Sequence, residues 1–370
     1  MKNKYKISII GTRGIPNHHG GFEQFAEIAS QELSKHFDIT VYNSSEHNYK
    51  DSTFNNVNIS HKWCNEKLIG ASAHFIYDFL CLKDSLEKKN DIIIALGYGT
   101  LALSLLILKS KTSSIVVNMD GMEWQRKDIS WIKKYLLIWS EKLVIKKADF
   151  IISDAIPVQK YYMRNFNKDT FYLPYGASIF RENNIKYISK LKLKEKMYFL
   201  LIARFDPSNN IEEILKGYRD SKQTYKLIIV GNYNNRYGLR IKKKYKSESI
   251  KFLGPVYNTK ILNNLRFYSK LYFHGHSVGG TPPSLLEAMS CRAPIVAHDN
   301  IYNRDILESN AKYFKTSNDI EKIINKIDIK YNFFSNAIDN NLLKIRKKYL
   351  WEDINSSLIN FIYKIKNKEI

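Results

Sequence analysis

Short, almost wholly apolar runs recur along the first half of the chain. They are Lys6–Ile10 (KISII), 39–42 (ITVY), 91–96 (DIIIAL), Ser114–Asn118 (SIVVN) and Phe150–Ser153 (FIIS). Runs of this length and uniformity read as strands of a parallel sheet covered on both faces. Stretches with helical periodicity lie between them, the first over 22–37. Strand–helix alternation of this kind predicts a doubly wound α/β sheet. A second series follows Pro174-Tyr175-Gly176: 198–203 (YFLLIA), Lys226–Val230 (KLIIV), 250–253 (IKFL), Leu271–His274 and 294–297 (PIVA), with helical stretches at 211–220 and 283–290. The chain is therefore expected to hold two Rossmann-like halves with a break near 174–185. An amphipathic stretch at about 351–368 is expected to return to the first half. The expected domains are 1–178, with 352–370 packed back on them, and 179–351.

The segment 92–108 carries no charge over seventeen residues. That falls just short of the roughly 18–20 residues a spanning helix needs. Gly97-Tyr98-Gly99 divides it, so a buried strand, turn and helix are expected instead. The opening residues run straight into a strand-like segment, with no apolar stretch of signal-peptide length. A cytoplasmic location is the corresponding expectation.

Composition narrows the function. Hydrophobic residues make up 44% of the 370 and charged residues 25%, which is globular rather than disordered. The cysteines Cys64, Cys81 and Cys291 are scattered, so neither a disulfide scaffold nor a structural zinc site is indicated. The formal net charge is +22, but it is uneven. Residues 1–178 hold 23 Lys and Arg against 18 Asp and Glu, whereas 179–370 hold 35 against 18. A basic half suits a polyanion or a phosphorylated small molecule. The Lys-rich stretches 186–196 and 240–251 read as solvated faces rather than a site. No nucleic-acid-binding pattern is present, and the absence of GxGxxG argues against a nicotinamide dehydrogenase.

Four segments carry candidate chemistry. The loop 11–21 (GTRGIPNHHGG) joins the first strand to the first helix, at the strand end where open α/β sheets bind ligands. Gly20 and Gly21 there let backbone N–H groups approach a phosphate; a tight turn needing glycine for its backbone angles reads equally well from spacing alone. Arg204 follows the first strand of the second half, placed either to clamp a diphosphate or as an ordinary surface arginine. The stretch 276–289 (HSVGGTPPSLLEAM) brings a Gly-Gly-Thr loop into a helix start. N–H groups across 280–285 are expected to face a phosphate, and Glu287 sits one turn further in, where its carboxylate can accept ribose hydroxyls. Asp120, in Asn118-Met119-Asp120-Gly121-Met122-Glu123-Trp124, stands at a strand end as a carboxylate to orient a sugar or accept a proton. Its bland alternative is a helix N-cap.

Taken together, these segments resemble glycosyltransferase family 4, the retaining enzymes of GT-B fold, and within it bacterial polysaccharide rhamnosyltransferases. The likeness runs from Ile7 to about Trp351 and is most specific over 276–289. It implies two Rossmann-like domains facing across a cleft, with a nucleoside-diphosphate sugar bound between them. Arg204 is implied to stabilise the departing diphosphate, with Asp120 as the second catalytic candidate. The implied donor-binding residues are Gly20, Gly21, Asn209, His276, Gly279, Gly280, Thr281, Ser284, Leu285 and Glu287. No metal or cofactor is implied, because Arg204 and a helix N-terminus take the place of a divalent ion. The broader family carries a Glu where this chain has Gly279 and a Lys where it has Asn209, departures that recur in the rhamnosyltransferase-like subgroup. That subgroup implies a dTDP-6-deoxysugar donor, L-rhamnose, in cell-surface polysaccharide synthesis. A GT-B sugar-nucleotide epimerase, or a transferase using a UDP- or GDP-sugar, is the alternative.

The expected acceptor is a lipid-linked saccharide. Residues 124–147 carry seven Lys and Arg against two acids, with Trp124, Trp131, Tyr135 and Trp139 interleaved. Trp plus Lys on one surface suits an anionic membrane interface, and the alternative is an ordinary packed helix. Peripheral contact with the inner face of the cell membrane through 124–147 follows as an expectation.

Overall fold

A computed structural model describes residues 4–18, 20–126, 129–328 and 331–370. It contains two compact units, the first holding most residues up to Tyr175 together with Trp351–Ile370, the second holding Gly176–Leu350. The first unit is built on eight strands: β1 (Lys6–Ile10), β2 (Asp38–Ser44), β3 (Thr53–Phe54), β4 (Val57–Lys62), β5 (Ile92–Leu96), β6 (Ser114–Asn118), β7 (Phe150–Ser153) and β8 (Phe171–Tyr172). Their order is β3-β4-β2-β1-β5-β6-β7-β8, all parallel apart from β3. Every residue of β5 is buried, as a central strand covered on both faces requires. The segment 92–108 resolves into β5 and a helix, Leu101–Ile107, and no helix among the described residues is long and apolar enough to cross a membrane.

The second unit has six parallel strands: β9 (Tyr198–Ile202), β10 (Lys226–Val230), β11 (Ile250–Gly254), β12 (Leu271–His274), β13 (Ile295–His298) and β14 (Lys312–Phe314). Their order is β11-β10-β9-β12-β13-β14. Phe199, Leu201, Leu227, Leu271, Phe273 and Val296 meet Ile214, Leu215, Ile320 and Phe334 from the helices in one core. In both sheets the chain order reverses beside the first strand, between β1 and β5 and between β9 and β12. Such switch points open a crevice at the carboxyl ends of the strands, where ligands bind.

The helix expected over 22–37 ends sooner, at Gly21–Leu33. Residues 34–37 turn instead, delivering Asp38 to pair with Tyr5 at the start of β2. The pattern missed β4, whose sequence VNISHK buries only Val57 and Ile59 firmly. It also missed β3, β8 and β14, which have only two or three residues. One lysine assigned to a solvated face is not solvated. Lys196 donates to the carbonyls of Phe267 (2.9 Å) and Ser269 (3.1 Å), and burial lowers its pKa to about 8. The last helix, Trp351–Asn367, belongs to the first unit. Its Phe361 stacks on Phe171 with centroids 3.9 Å apart, and Lys366 reaches Asp91 at 2.7 Å.

Candidate functional site

In the first unit the glycine loop after β1 is held by side chains from elsewhere. Gly11 has φ +79°, and a Cβ there would stand 2.4 Å from the Leu96 carbonyl oxygen of β5, so only glycine fits. Asn43 accepts from the Ile15 N–H at 3.0 Å and donates to the Ile15 carbonyl at 2.8 Å. Glu23, 6% exposed, accepts from the Arg13 N–H at 2.9 Å. Gly20 is the helix N-cap, with no side chain to cover the first turn, and Gly21 begins the helix. Residue 19 of this loop lies outside the described residues.

Asp120 follows β6 in a left-handed conformation, φ +47°, with its N–H bonded to Asn118 Oδ1 at 3.1 Å. Aspartate tolerates this strained region better than most residues. No α-helix starts there; only the short turn Glu123–Gln125 follows. The sequence reading overlooked Asp154, which follows β7 as Asp120 follows β6 and is 1% exposed. The same strand-end rule that singled out Asp120 would have found it. Burial, and then the carboxylates of Asp120, Asp154 and Glu23, push the Tyr175 phenol well above its ordinary range. The three acids therefore lie near enough for their charges to act on one phenol, two of them at strand ends.

Helix Trp131–Lys147 lies partly in the open. Trp131 is 79% exposed and Tyr135 69%, with Ile132, Leu136 and Trp139 also exposed. Leu103, Leu106 and Ile107 on Leu101–Ile107, and Phe75 and Ile76 on Ala73–Glu87, extend the exposed apolar surface over neighbouring helices. Trp124 instead turns toward Tyr161, at 6.3 Å between rings. Glu141, one of the two acids counted in 124–147, is 1% exposed and accepts from Tyr161 (3.2 Å) and Tyr162 (3.0 Å). Burial pushes its carboxyl up. Within 124–147, Lys127 and Asp128 lie outside the described residues.

In the second unit, Arg204 stands just past the end of β9. It is exposed, and its guanidinium makes no hydrogen bond or ion pair among the described residues, though its charge helps hold the Asp206 carboxyl down. Beside β9, β12 is followed by Gly275 and His276. A Cβ on Gly275 would come within 1.9 Å of the Asn209 carbonyl oxygen, so glycine there lets the two strand-end loops touch. Asn209, 7% exposed, donates from Nδ2 to the Arg204 carbonyl at 2.9 Å, and its Oδ1 lies 3.1 Å from His276 Nδ1. Asn209 is thus a brace between two loops rather than a side chain extended toward a diphosphate. Burial, then the charge of Arg204, brings His276 down to about 4.

Gly279 (φ +130°), Gly280 and Thr281 lead into the helix Pro283–Ser290, with Pro282 as its cap. The expected row of N–H donors is shorter than 280–285. Pro282 and Pro283 have none, and the Leu285 N–H already bonds the Pro282 carbonyl at 3.0 Å. Leu285 itself is fully buried. The other N–H groups of this segment belong to Gly280, Thr281 and Ser284, at a helix start of the kind that can meet an anion. Glu287 carries a partner the sequence gave no sign of. Its carboxylate pairs with Arg266, which is 2% exposed and held at Asn263 Oδ1 by 2.9 Å. Arg266 ends an amphipathic helix, where an arginine ordinarily reads as solvated.

Residues 183–331 match the family described as Glycosyl transferases group 1, and residues 4–178 the family described as Domain of unknown function (DUF1972). The chain is 32% identical over 171 residues to the uncharacterized glycosyltransferase MJ1069 of Methanocaldococcus jannaschii, covering 42% of this chain and 42% of that protein. The match thus spans less than half of the relative's own length. The structure is similar to sucrose-phosphate synthase from Thermosynechococcus elongatus, with TM-score 0.83, 13% identity and coverage of 99% of this chain and 100% of that one. It is also similar to Anabaena HepE in complex with UDP-glucose (TM-score 0.76, 14% identity, coverage 98% and 100%). A third likeness is to an α,α-trehalose-phosphate synthase from Burkholderia xenovorans (TM-score 0.72, 10% identity, coverage 98% and 100%). The fold is GT-B: α/β, with two Rossmann-like sheets.

Proposed function

We propose that the protein is a glycosyltransferase that takes a sugar from a nucleoside-diphosphate donor held by the second unit. The observation that carries this reading is the guanidinium of Arg204, exposed and without a hydrogen bond or ion pair among the described residues, at the switch point of that sheet. It stands in the same compact unit as the helix start at Gly280–Ser284, within the residues that match Glycosyl transferases group 1. A cation and N–H donors suit a diphosphate leaving group, whose developing charge they stabilise without a divalent ion. Similarity to a protein solved with UDP-glucose supports a nucleotide-sugar donor.

The reaction proceeds with retention, the donor phosphate taking the acceptor proton. Asp120 orients the acceptor hydroxyl. The donor is a dTDP-6-deoxysugar, L-rhamnose, and the acceptor a lipid-linked saccharide of cell-surface polysaccharide synthesis. The lipid is supported by Trp131, Tyr135 and Trp139, exposed beside Lys133 and Lys134, a surface suited to an anionic bilayer. A thermal-shift panel of dTDP, UDP, GDP and their sugars tests the donor. Stabilisation by one nucleotide series is expected, and no shift with any of them overturns the reading.

A further inference from the structure

We propose that His276 Nε2 is a hydrogen-bond acceptor for a hydroxyl of the donor's sugar, kept in that role by Asn209. The proposal rests on the nucleotide-sugar reading above and assigns the part of the donor that this atom meets.

The orientation of the Asn209 amide is fixed by its partners. The Arg204 carbonyl can only accept, so Nδ2 faces it, at 2.9 Å, and Oδ1 faces the imidazole. An amide oxygen 3.1 Å from His276 Nδ1 requires the proton on Nδ1. The loop around the ring is pinned as well. The His276 carbonyl accepts from Asn300 and Asn303, both at 3.0 Å, and Ser277 donates to the Ser208 carbonyl from its N–H (3.1 Å) and hydroxyl (2.7 Å).

Enclosure and the Arg204 charge keep the ring neutral at physiological pH, so it holds a single proton, already placed on Nδ1. Nε2 is therefore a bare lone pair, and no described residue donates to it. A Cβ added at Gly279 would stand 3.1 Å from Nε2, so glycine at that position leaves this side of the ring uncovered. A lone pair repels phosphate oxygens and attracts hydroxyl hydrogens. Within one loop cluster, Arg204 and the helix start are suited to the diphosphate, and His276 to a polyol. The imidazole then contributes to telling a sugar nucleotide from the bare nucleotide.

Two measurements on the full chain test this. In nitrogen-15 histidine spectra, with the His276 signals assigned by their loss in His276→Gln, we expect a protonated Nδ1 and a bare Nε2 at pH 7. Asn209→Leu should release the ring into a mixture of tautomers. An imidazolium, or a protonated Nε2, overturns the proposal. Calorimetry then compares UDP with UDP-glucose, dTDP with dTDP-glucose and GDP with GDP-mannose. For the pair that binds, His276→Leu should weaken the sugar nucleotide about tenfold, the scale of one net hydrogen bond. The bare diphosphate should change less than about twofold. Equal losses for the two overturn the assignment. Failure of the unsubstituted chain to bind any of the six defeats the proposed function and this assignment together, whereas a wrong tautomer defeats only the assignment.

Discussion

The two sheets reverse their chain order in the same way, yet the strand ends of the two units carry opposite chemistry. Past β6 and β7 stand Asp120 and Asp154, with Glu23 at the first helix and all three acids acting on the Tyr175 phenol. Past β9 and β12 stand Arg204, a neutral His276 and a helix N-terminus. The carboxylates nearby in the second unit are occupied: Asp206 accepts from the Ser208 N–H at 2.8 Å, and Glu287 is paired with Arg266. The fold thus supplies the position of a crevice, and a few loop residues decide what it attracts. An edge of carboxylates suits hydroxyl groups, and an edge of cation and N–H donors suits phosphates.

The sharpest way to break this division is Arg204→Ala. Turnover should fall about 10²–10³-fold, the cost of a lost charge-stabilising donor, with an unchanged melting temperature because the side chain is exposed. A folded variant with near-normal turnover would remove the cationic edge from the mechanism. Asp120→Asn is the matching change on the acidic edge. It should cost about 10²-fold in rate while donor affinity by calorimetry stays put, and a parallel loss of donor affinity would show that the two edges do not divide the work.

Glu287→Ala tests whether the second unit's carboxylate is structural. It leaves Arg266 buried without its partner, which should cost about 2–3 kcal/mol in urea unfolding. Replacing both, as Arg266→Met with Glu287→Leu, should recover part of that loss. A stable single variant with weakened nucleotide binding would make Glu287 a ligand contact only. On the exposed helix, Lys133→Gln should lower binding to anionic vesicles about fivefold, and flotation that ignores lipid charge would remove the bilayer.

The smallest expected effect is a flat line. A base with its pKa lowered to about 4 gains its proton only below about pH 5. Sugar-nucleotide affinity should therefore not change through His276 between about pH 6 and 8, and should decline only as pH falls toward 4. A titration step near pH 6.5 that vanishes in His276→Gln would show that the ring is charged when it works.

Much of the architecture was legible because buried parallel strands are written as local apolar runs. β1, β6, β7, β10 and β12 match the expected segments residue for residue. β4 escaped because only alternate residues of it are buried, and β14 because three residues leave no pattern. Arg204, Asp120 and the glycine loops were legible because strand ends and helix starts are local features. Asp154 was legible in principle by the same rule. Arg266 and the brace at Asn209 were not, since nothing in their neighbouring residues distinguishes them from a solvated arginine and a turn asparagine.

The sequence by itself determined two α/β units, the places where each opens a crevice and the residue types set at their edges, because periodicity and loop chemistry act over a few residues. Only the tertiary structure decided how those residues are held. Asn209 and His276 are 67 positions apart, and Arg266 and Glu287 are 21 apart. A hydrogen bond or ion pair of that separation depends on which strands lie side by side. Its consequences, the proton on Nδ1 and the buried partner of Glu287, exist only once the sheet has brought those strands together.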